Sequence, residues 1–181
     1  MVSPYGPTRG RAYVGDAATW ERFRSVGLGR TLVHLAVPVV LNDSSPMSSK
    51  IVFAPGKGET ADTGLVETWE LMSLDLNAEV ALFSRGQGEP VQSRAGDGSG
   101  ALAWALLSAG TPTTVVSSWV VDAPSTTSLL AGFHRRVVAA GTEGRSAGLA
   151  ADDLRRATLA LLADPALRHP YYWAGLSVIG R

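Results

Sequence analysis

Continuous apolar runs alternate along the chain with segments that repeat apolar residues every three or four positions. The runs are short and contain several β-branched side chains, which favours buried strands. They predict strands at residues 31–37, 51–54, 79–84, 113–121 and 173–179. Because a strand that is covered on both faces reads as an almost unbroken apolar run, this pattern is typical of a sheet with helices on both sides.

The segments between these runs place apolar residues on one helical face and end at cap residues or glycine. They predict helices at residues 16–26, 65–72, 102–109, 124–140 and 152–163. Stretches rich in Ser, Pro or Gly predict loops at 41–50 and 85–100. Helices that alternate with apolar strands predict a single α/β domain, a sandwich whose sheet is largely parallel.

Charge and hydropathy narrow the possible partners. The 181 residues carry 16 basic and 16 acidic side chains, so the formal net charge is zero. The chain therefore lacks the basic surplus that sequence-independent binding to nucleic acid or anionic lipid requires, and we predict neither partner. The longest apolar run, at 32–41, is far shorter than the roughly 20 residues that span a bilayer. Residues 1–11 contain no apolar signal core, so we expect a cytoplasmic location.

The residue types that carry chemistry are few. Cysteine is absent, which excludes disulfides, thiolate metal sites and a cysteine nucleophile. His34 lies inside an apolar strand, where we expect a core imidazole with satisfied ring nitrogens. His134 stands beside Arg135 and Arg136 on a predicted helix, which indicates a solvated face, and His169 precedes a proline in a turn. Since these histidines show no metal-ligand spacing and no phosphate-binding motif occurs, we predict no metal and no cofactor.

Ser84 ends a predicted strand and is a candidate nucleophile only if a base lies within hydrogen-bond reach. A Ser-His-acid arrangement would require His34, His134 or His169 to fold back onto it. Nothing in the spacing requires that contact.

Several blocks of sequence, in order along the chain, resemble one known family. They are Gly-Asp-Ala-Ala-Thr-Trp-Glu-Arg-Phe at 15–23, Leu-Val-His-Leu-Ala at 32–36, Leu-Asp-Leu-Asn-Ala at 74–78, Val-Val-Ser-Ser-Trp-Val-Val-Asp at 115–122, and His-Pro-Tyr-Tyr-Trp-Ala at 169–174. In this order and spacing they resemble the CHAT domain, a bacterial relative of caspases and separase. The resemblance covers nearly the whole chain from about residue 14.

The resemblance implies a caspase-like three-layer α/β/α sandwich with a mostly parallel sheet. The family domain usually begins with further strands, so we expect this chain to be its C-terminal portion or a reduced version. On this basis residues 1–13 are a flexible N-terminal stretch, and residues 14–181 are a partial CHAT-like domain.

The family's activity depends on a His/Cys dyad at the ends of two strands. The family block His-x-x-x-His-Gly begins at His34, so its catalytic histidine falls on Pro38. The block Leu-Ser-Ala-Cys-x-Thr-Gly aligns Ser84 with its serine, and the catalytic cysteine then falls on Gly86. A slip of one residue would offer Arg85 or Gln87 instead, and none of these is a nucleophile. The resemblance thus implies that both dyad members are replaced.

Three functional hypotheses follow. The first is a catalytically inactive, CHAT-like pseudo-peptidase domain that acts as a protein or peptide interaction or regulatory module. The second is a hydrolase with a different nucleophile, Ser84, and the third is a degenerate fragment without an independent role. For the first hypothesis, the residues expected along the remnant cleft are His34, Ser84, Arg85, Gly86, Trp119 and Asp122.

Overall fold

The computed structural model describes residues 3–42, 44–58, 64–85, 97–119, 122–140 and 146–180. Within them the strands are β1 (Leu32–Val37), β2 (Val39–Val40), β3 (Lys50–Val52), β4 (Leu65–Glu67), β5 (Val80–Arg85), β6 (Thr113–Ser117) and β7 (Leu176–Gly180). The helices are α1 (Gly6–Arg9), α2 (Trp20–Val26), α3 (Thr68–Met72), α4 (Asp97–Ser108), α5 (Ala123–Ala140) and α6 (Ala147–Leu161).

The main sheet has the strand order β1-β5-β6-β7. The first three strands are parallel, and β7 is antiparallel to β6. In the β1-β5 pair, His34 lies opposite Leu82, and Ala36 lies opposite Ser84. The prediction of a largely parallel sheet is therefore confirmed, with the closing strand as its antiparallel member.

The core lies on both faces of this sheet, as the period of two along a strand requires. On one face Val33, Leu35 and Phe83 pack in a cluster that includes residues of α2, α3 and α4. On the other face Val80 and Leu82 pack against α5 and α6. Helices thus cover both sides of the sheet, and the α/β sandwich is confirmed.

A second, antiparallel sheet of the order β2-β3-β4 corrects one sequence prediction. Residues 65–72 were expected to form one helix, but Leu65–Glu67 is a strand and only Thr68–Met72 is helical. Val66 pairs with Ile51, and both side chains are buried, so sheet pairing outweighs the helical pattern. Glu67 then begins the helix through a capping box with Glu70.

Other element boundaries differ at their ends. The predicted helix 152–163 begins earlier, at Ala147, because the side chain of Ser146 caps it by accepting from Leu149 N–H. The predicted loop 85–100 overlaps α4, which begins at Asp97, and residues 86–96 lie outside the described part of the chain. The strand predicted at 113–121 ends at Ser117, and residues 120–121 also lie outside that part.

The N-terminal residues that the structure describes are ordered into two helical turns. Ser3–Tyr5 is a 3-10 helix that contacts α5, and α1 follows it directly. The boundary placed between residues 13 and 14 stays a prediction. In the described ranges, no helix combines the length and the apolar character that crossing a bilayer requires.

The side chains at the centre of the main sheet contribute much of the stability. We therefore expect Phe83→Ala to lower the free energy of unfolding by about 3–5 kcal/mol, because it leaves a cavity in the core. Phe83 is 1% exposed on the central strand β5. The matched control is Trp104→Ala, because that aromatic side chain is 60% exposed and should change stability by only about 0.5 kcal/mol. Urea unfolding followed by circular dichroism measures both, and equal losses would contradict this placement of the core.

Candidate functional site

Four polar side chains from distant parts of the chain form a continuous hydrogen-bonded relay. Tyr5 Oη lies 2.6 Å from His134 Nδ1, and His134 Nε2 lies 3.1 Å from His34 Nδ1. His34 Nε2 in turn lies 2.9 Å from Ser84 Oγ. We call these four residues the Tyr-His-His-Ser relay. It joins the N-terminal turn, α5, β1 and β5.

Each side chain is positioned by the register of its element. His34 and Ser84 stand on neighbouring strands, two register positions apart on the same face of the β1-β5 pair, so their side chains can meet. On the other side of the His34 ring, the two imidazole centroids lie 5.1 Å apart with 27° between the ring planes. Tyr5 approaches His134 edge-on, with an angle of 77° between the rings.

The relay confirms one histidine prediction and shows that another is wrong. Both ring nitrogens of His34 have partners, as expected of a core histidine. His134 is 2% exposed, although a solvated face was predicted. It is buried because it continues the stripe formed by Leu130 and Val137, at i+4 and i+3 spacing. That spacing was the signal in the sequence, and the neighbouring arginines hid it.

Burial keeps both histidines uncharged. Desolvation, with a smaller contribution from the charge of His134, lowers the pKa of His34 to about 3. Desolvation also lowers the pKa of His134 to about 4. At neutral pH each ring therefore has one N–H donor and one acceptor nitrogen.

This protonation state allows donation along the relay in either direction, and the acidity of the two hydroxyl groups at its ends favours one of them. The phenol of Tyr5 is a much stronger acid than the hydroxyl of Ser84, so it is the better donor toward imidazole. With Tyr5 donating to His134 Nδ1, His134 Nε2–H donates to His34 Nδ1, and His34 Nε2–H donates to Ser84 Oγ. In this arrangement the nitrogen that faces Ser84 already holds a proton.

The two positions aligned with the family's dyad are described only in part. Pro38 directly follows β1, is exposed, and accepts a hydrogen bond from Val52 N–H through its carbonyl. Arg85 ends β5 and pairs with Val37, so β1 and β5 end side by side. Gly86 follows Arg85 in the sequence and lies outside the described residues.

The other two predicted cleft residues are engaged locally. Asp122 accepts a hydrogen bond from Ser125 N–H in the first turn of α5. Trp119 is 38% exposed, and its carbonyl accepts from the hydroxyl of Ser117. No described contact joins either residue to the relay, so the structure brings together His34 and Ser84 of the predicted cleft and leaves Trp119 and Asp122 apart from them.

A cavity of about 970 Å³ lies along β1. Its walls are residues 8–15, the side of α2 that carries Arg22 and Phe23, and residues 52–54, and we call it the β1 groove. His34 and His134 line it, whereas Ser84, which is 5% exposed, is not among its lining residues. In the described ranges no group of three His, Cys, Asp or Glu side chains is placed to hold a metal ion.

Comparison with known proteins identifies the family. The profile of the CHAT domain family matches residues 3–181, essentially the whole chain. The chain therefore belongs to the CHAT domain family, which is caspase-like and related to peptidases. No curated protein matches the chain.

Acidification should destabilise the fold through the relay. Because both histidines have folded-state pKa values below the usual 6.5, the unfolded chain binds more protons between pH 6.5 and about 4. Their contribution is fully present above pH 6.5 and decreases as the pH falls, by up to about 1.4 kcal/mol per histidine for each pH unit. Urea unfolding at a series of pH values measures this slope.

The variant His134→Gln should reduce the slope by about half or more, because it removes one titrating group and its charge beside His34. The matched control is His169→Gln, since His169 is exposed and only caps the turn at Tyr171. A slope that is unchanged in His134→Gln would contradict the assignment of the acid response to the relay.

Proposed function

We propose that this chain is a catalytically inactive CHAT domain that acts as a protein or peptide interaction module. The family places the domain among relatives of cysteine peptidases, and this chain contains no cysteine. A thiolate attack is therefore impossible for this chain by itself, whatever the alignment of individual positions.

The resemblance to the family also supports inactivity, because it aligns both positions of the catalytic dyad with residues that cannot replace them. Pro38, at the position aligned with the catalytic histidine, has no side-chain nitrogen that can take up a proton. Gly86, at the position aligned with the cysteine, has no side chain at all. Members of a catalytic dyad act as a unit, so the loss of both leaves only the effects of binding and of oxyanion contacts.

The observation that carries the proposal is the state of His34, the base in contact with the hydroxyl of Ser84. A general base works best with a pKa near the operating pH, and the pKa of His34 is lowered to about 3. When Tyr5 is the first donor of the relay, His34 Nε2 donates to Ser84 and so cannot accept the proton of that hydroxyl. Ser84 is also buried and does not line the β1 groove. These features favour a structural role for the relay.

One observation favours a second candidate function, a serine hydrolase. The 2.9 Å distance between His34 Nε2 and Ser84 Oγ is the separation expected of a nucleophile and its base. If the relay ran in the opposite direction, with Ser84 as the first donor, His34 would accept its proton and His134 would orient the ring. The two candidates therefore differ in the direction of one chain of hydrogen bonds.

A fluorophosphonate probe separates the candidates. We expect no labelling of the purified chain and no turnover of a mixed peptide library at neutral pH, because the serine hydroxyl is neither activated nor accessible. Mass spectrometry of the intact protein measures the labelling.

Labelling that is lost in Ser84→Ala and kept in Ser117→Ala would overturn the proposal in favour of the hydrolase. Ser117 is the matched control because it is a buried serine, 1% exposed, on the next strand of the same sheet. Turnover that survives Ser84→Ala would contradict both candidates.

A further inference from the structure

The strand β1 is one edge of the described main sheet, with β5 as its only neighbour in that sheet. A strand edge presents a row of backbone N–H and C=O groups that can pair with another extended chain. Proteins usually cover, shorten or charge such an edge, so an open edge that faces a cavity calls for a physical explanation.

The direction of these backbone groups follows from two hydrogen bonds. The carbonyl of Thr31 accepts from Val80 N–H, so it points toward β5. Since alternate residues of a strand point their backbone groups to opposite sides, Leu32, His34 and Ala36 direct theirs away from β5. The carbonyl of Pro38 follows the same alternation, because it accepts from Val52 N–H on the side away from β5.

The β1 groove follows this open edge and wraps around it. Phe23 and Val26 line it on one face of the sheet, and Thr127 and His134 line it on the other. Residues 8–15 form a further wall of the groove. The relay holds that wall in place at one end, because Tyr5 binds His134 just before α1 begins.

The charge of the groove is one-sided. The charged side chains among its described lining residues are all arginines, namely Arg9, Arg11, Arg22 and Arg30. All four are exposed. Arg22 lies over the ring of Tyr13, and Arg30 donates to the carbonyl of Val26, so these two are held at the groove without a carboxylate partner among their described contacts. The protein as a whole is neutral, so this clustering is local.

We propose that the β1 groove binds an extended acidic peptide segment, which pairs with the backbone of Leu32, His34 and Ala36 and places its carboxylates against the arginines. Main-chain pairing supplies affinity for any extended segment, and charge complementarity selects an acidic one. This inference rests on the proposed function, because it names the site and the partner chemistry of the interaction module. The site differs from the cleft at the strand tips, where Trp119 and Asp122 lie.

A peptide as long as the six-residue strand β1, with alternating Glu and Val and a fluorescent label, is the direct probe. We expect saturable binding in fluorescence anisotropy that weakens as the salt concentration rises, because the arginines are solvent-exposed. A peptide with Lys in place of Glu should bind at least about tenfold more weakly, because like charges in the groove repel. The Glu-Val peptide with N-methyl groups on alternate amides should also lose binding, because it cannot complete the ladder.

Two protein variants test the two parts of the site. The double change Arg11→Ala and Arg22→Ala should weaken binding about fivefold, as expected from two partly solvated ion pairs. The matched control is Arg155→Ala with Arg156→Ala, since these arginines pair with Asp152 on α6 and do not line the groove. Ala36→Pro should abolish binding because it removes an outward N–H from an edge position that tolerates proline, and Ala36→Val should retain it.

Any of the following would overturn the inference: equal binding of the Glu and Lys peptides, full affinity of the N-methylated peptide, unchanged affinity of a folded Ala36→Pro variant, or a stable dimer through β1 that excludes the peptide. Different results would contradict the proposed function: turnover of a peptide by the purified chain, or labelling of Ser84 by the fluorophosphonate probe. Binding of a different peptide that is lost in Trp119→Ala would overturn the groove site and leave the proposed function standing.

Discussion

The contact between the rings of His34 and His134 is the interaction on which the described site depends. It requires two imidazoles to stay neutral inside the sandwich, and burial ensures this by lowering the pKa of both. Through this contact the sheet is joined to α5, and through Tyr5 it is joined to the N-terminal turn that leads into the wall of the β1 groove. A single pair of rings thus connects the core to the residues that line the β1 groove.

The sequence predicted correctly those strands whose apolar run is compatible with a strand and not with an amphipathic helix. The strand β5 is buried on both faces, β1 buries Val33 and Leu35, and no helix pattern competes with either apolar run. Prediction failed where tertiary contacts decide the outcome: residues 65–67 carry a helical pattern, yet Val66 pairs with Ile51 in a strand. His134 was misplaced because its charged neighbours outweighed its spacing from Leu130, and the relay could not be foreseen because its members are up to 129 positions apart.

Membership of the CHAT family establishes the fold of this chain, whereas its residues decide which chemistry it can perform. The match over residues 3–181 establishes a caspase-like domain. A sequence without cysteine cannot use the family's nucleophile, and Ser84, near the end of β5, lies within hydrogen-bond distance of His34 Nε2. The scaffold of the family is therefore retained in a chain that lacks the family's thiol nucleophile.

The four arginines around β1 have a further effect on the protein in concentrated solution. An open strand edge can recruit the same strand of another molecule, and repetition of that contact builds fibrils. Two copies that approach edge to edge here bring their guanidinium groups together, and the repulsion opposes growth at the first step. The side chains that would attract an acidic partner would therefore also oppose pairing of the protein with itself at this edge.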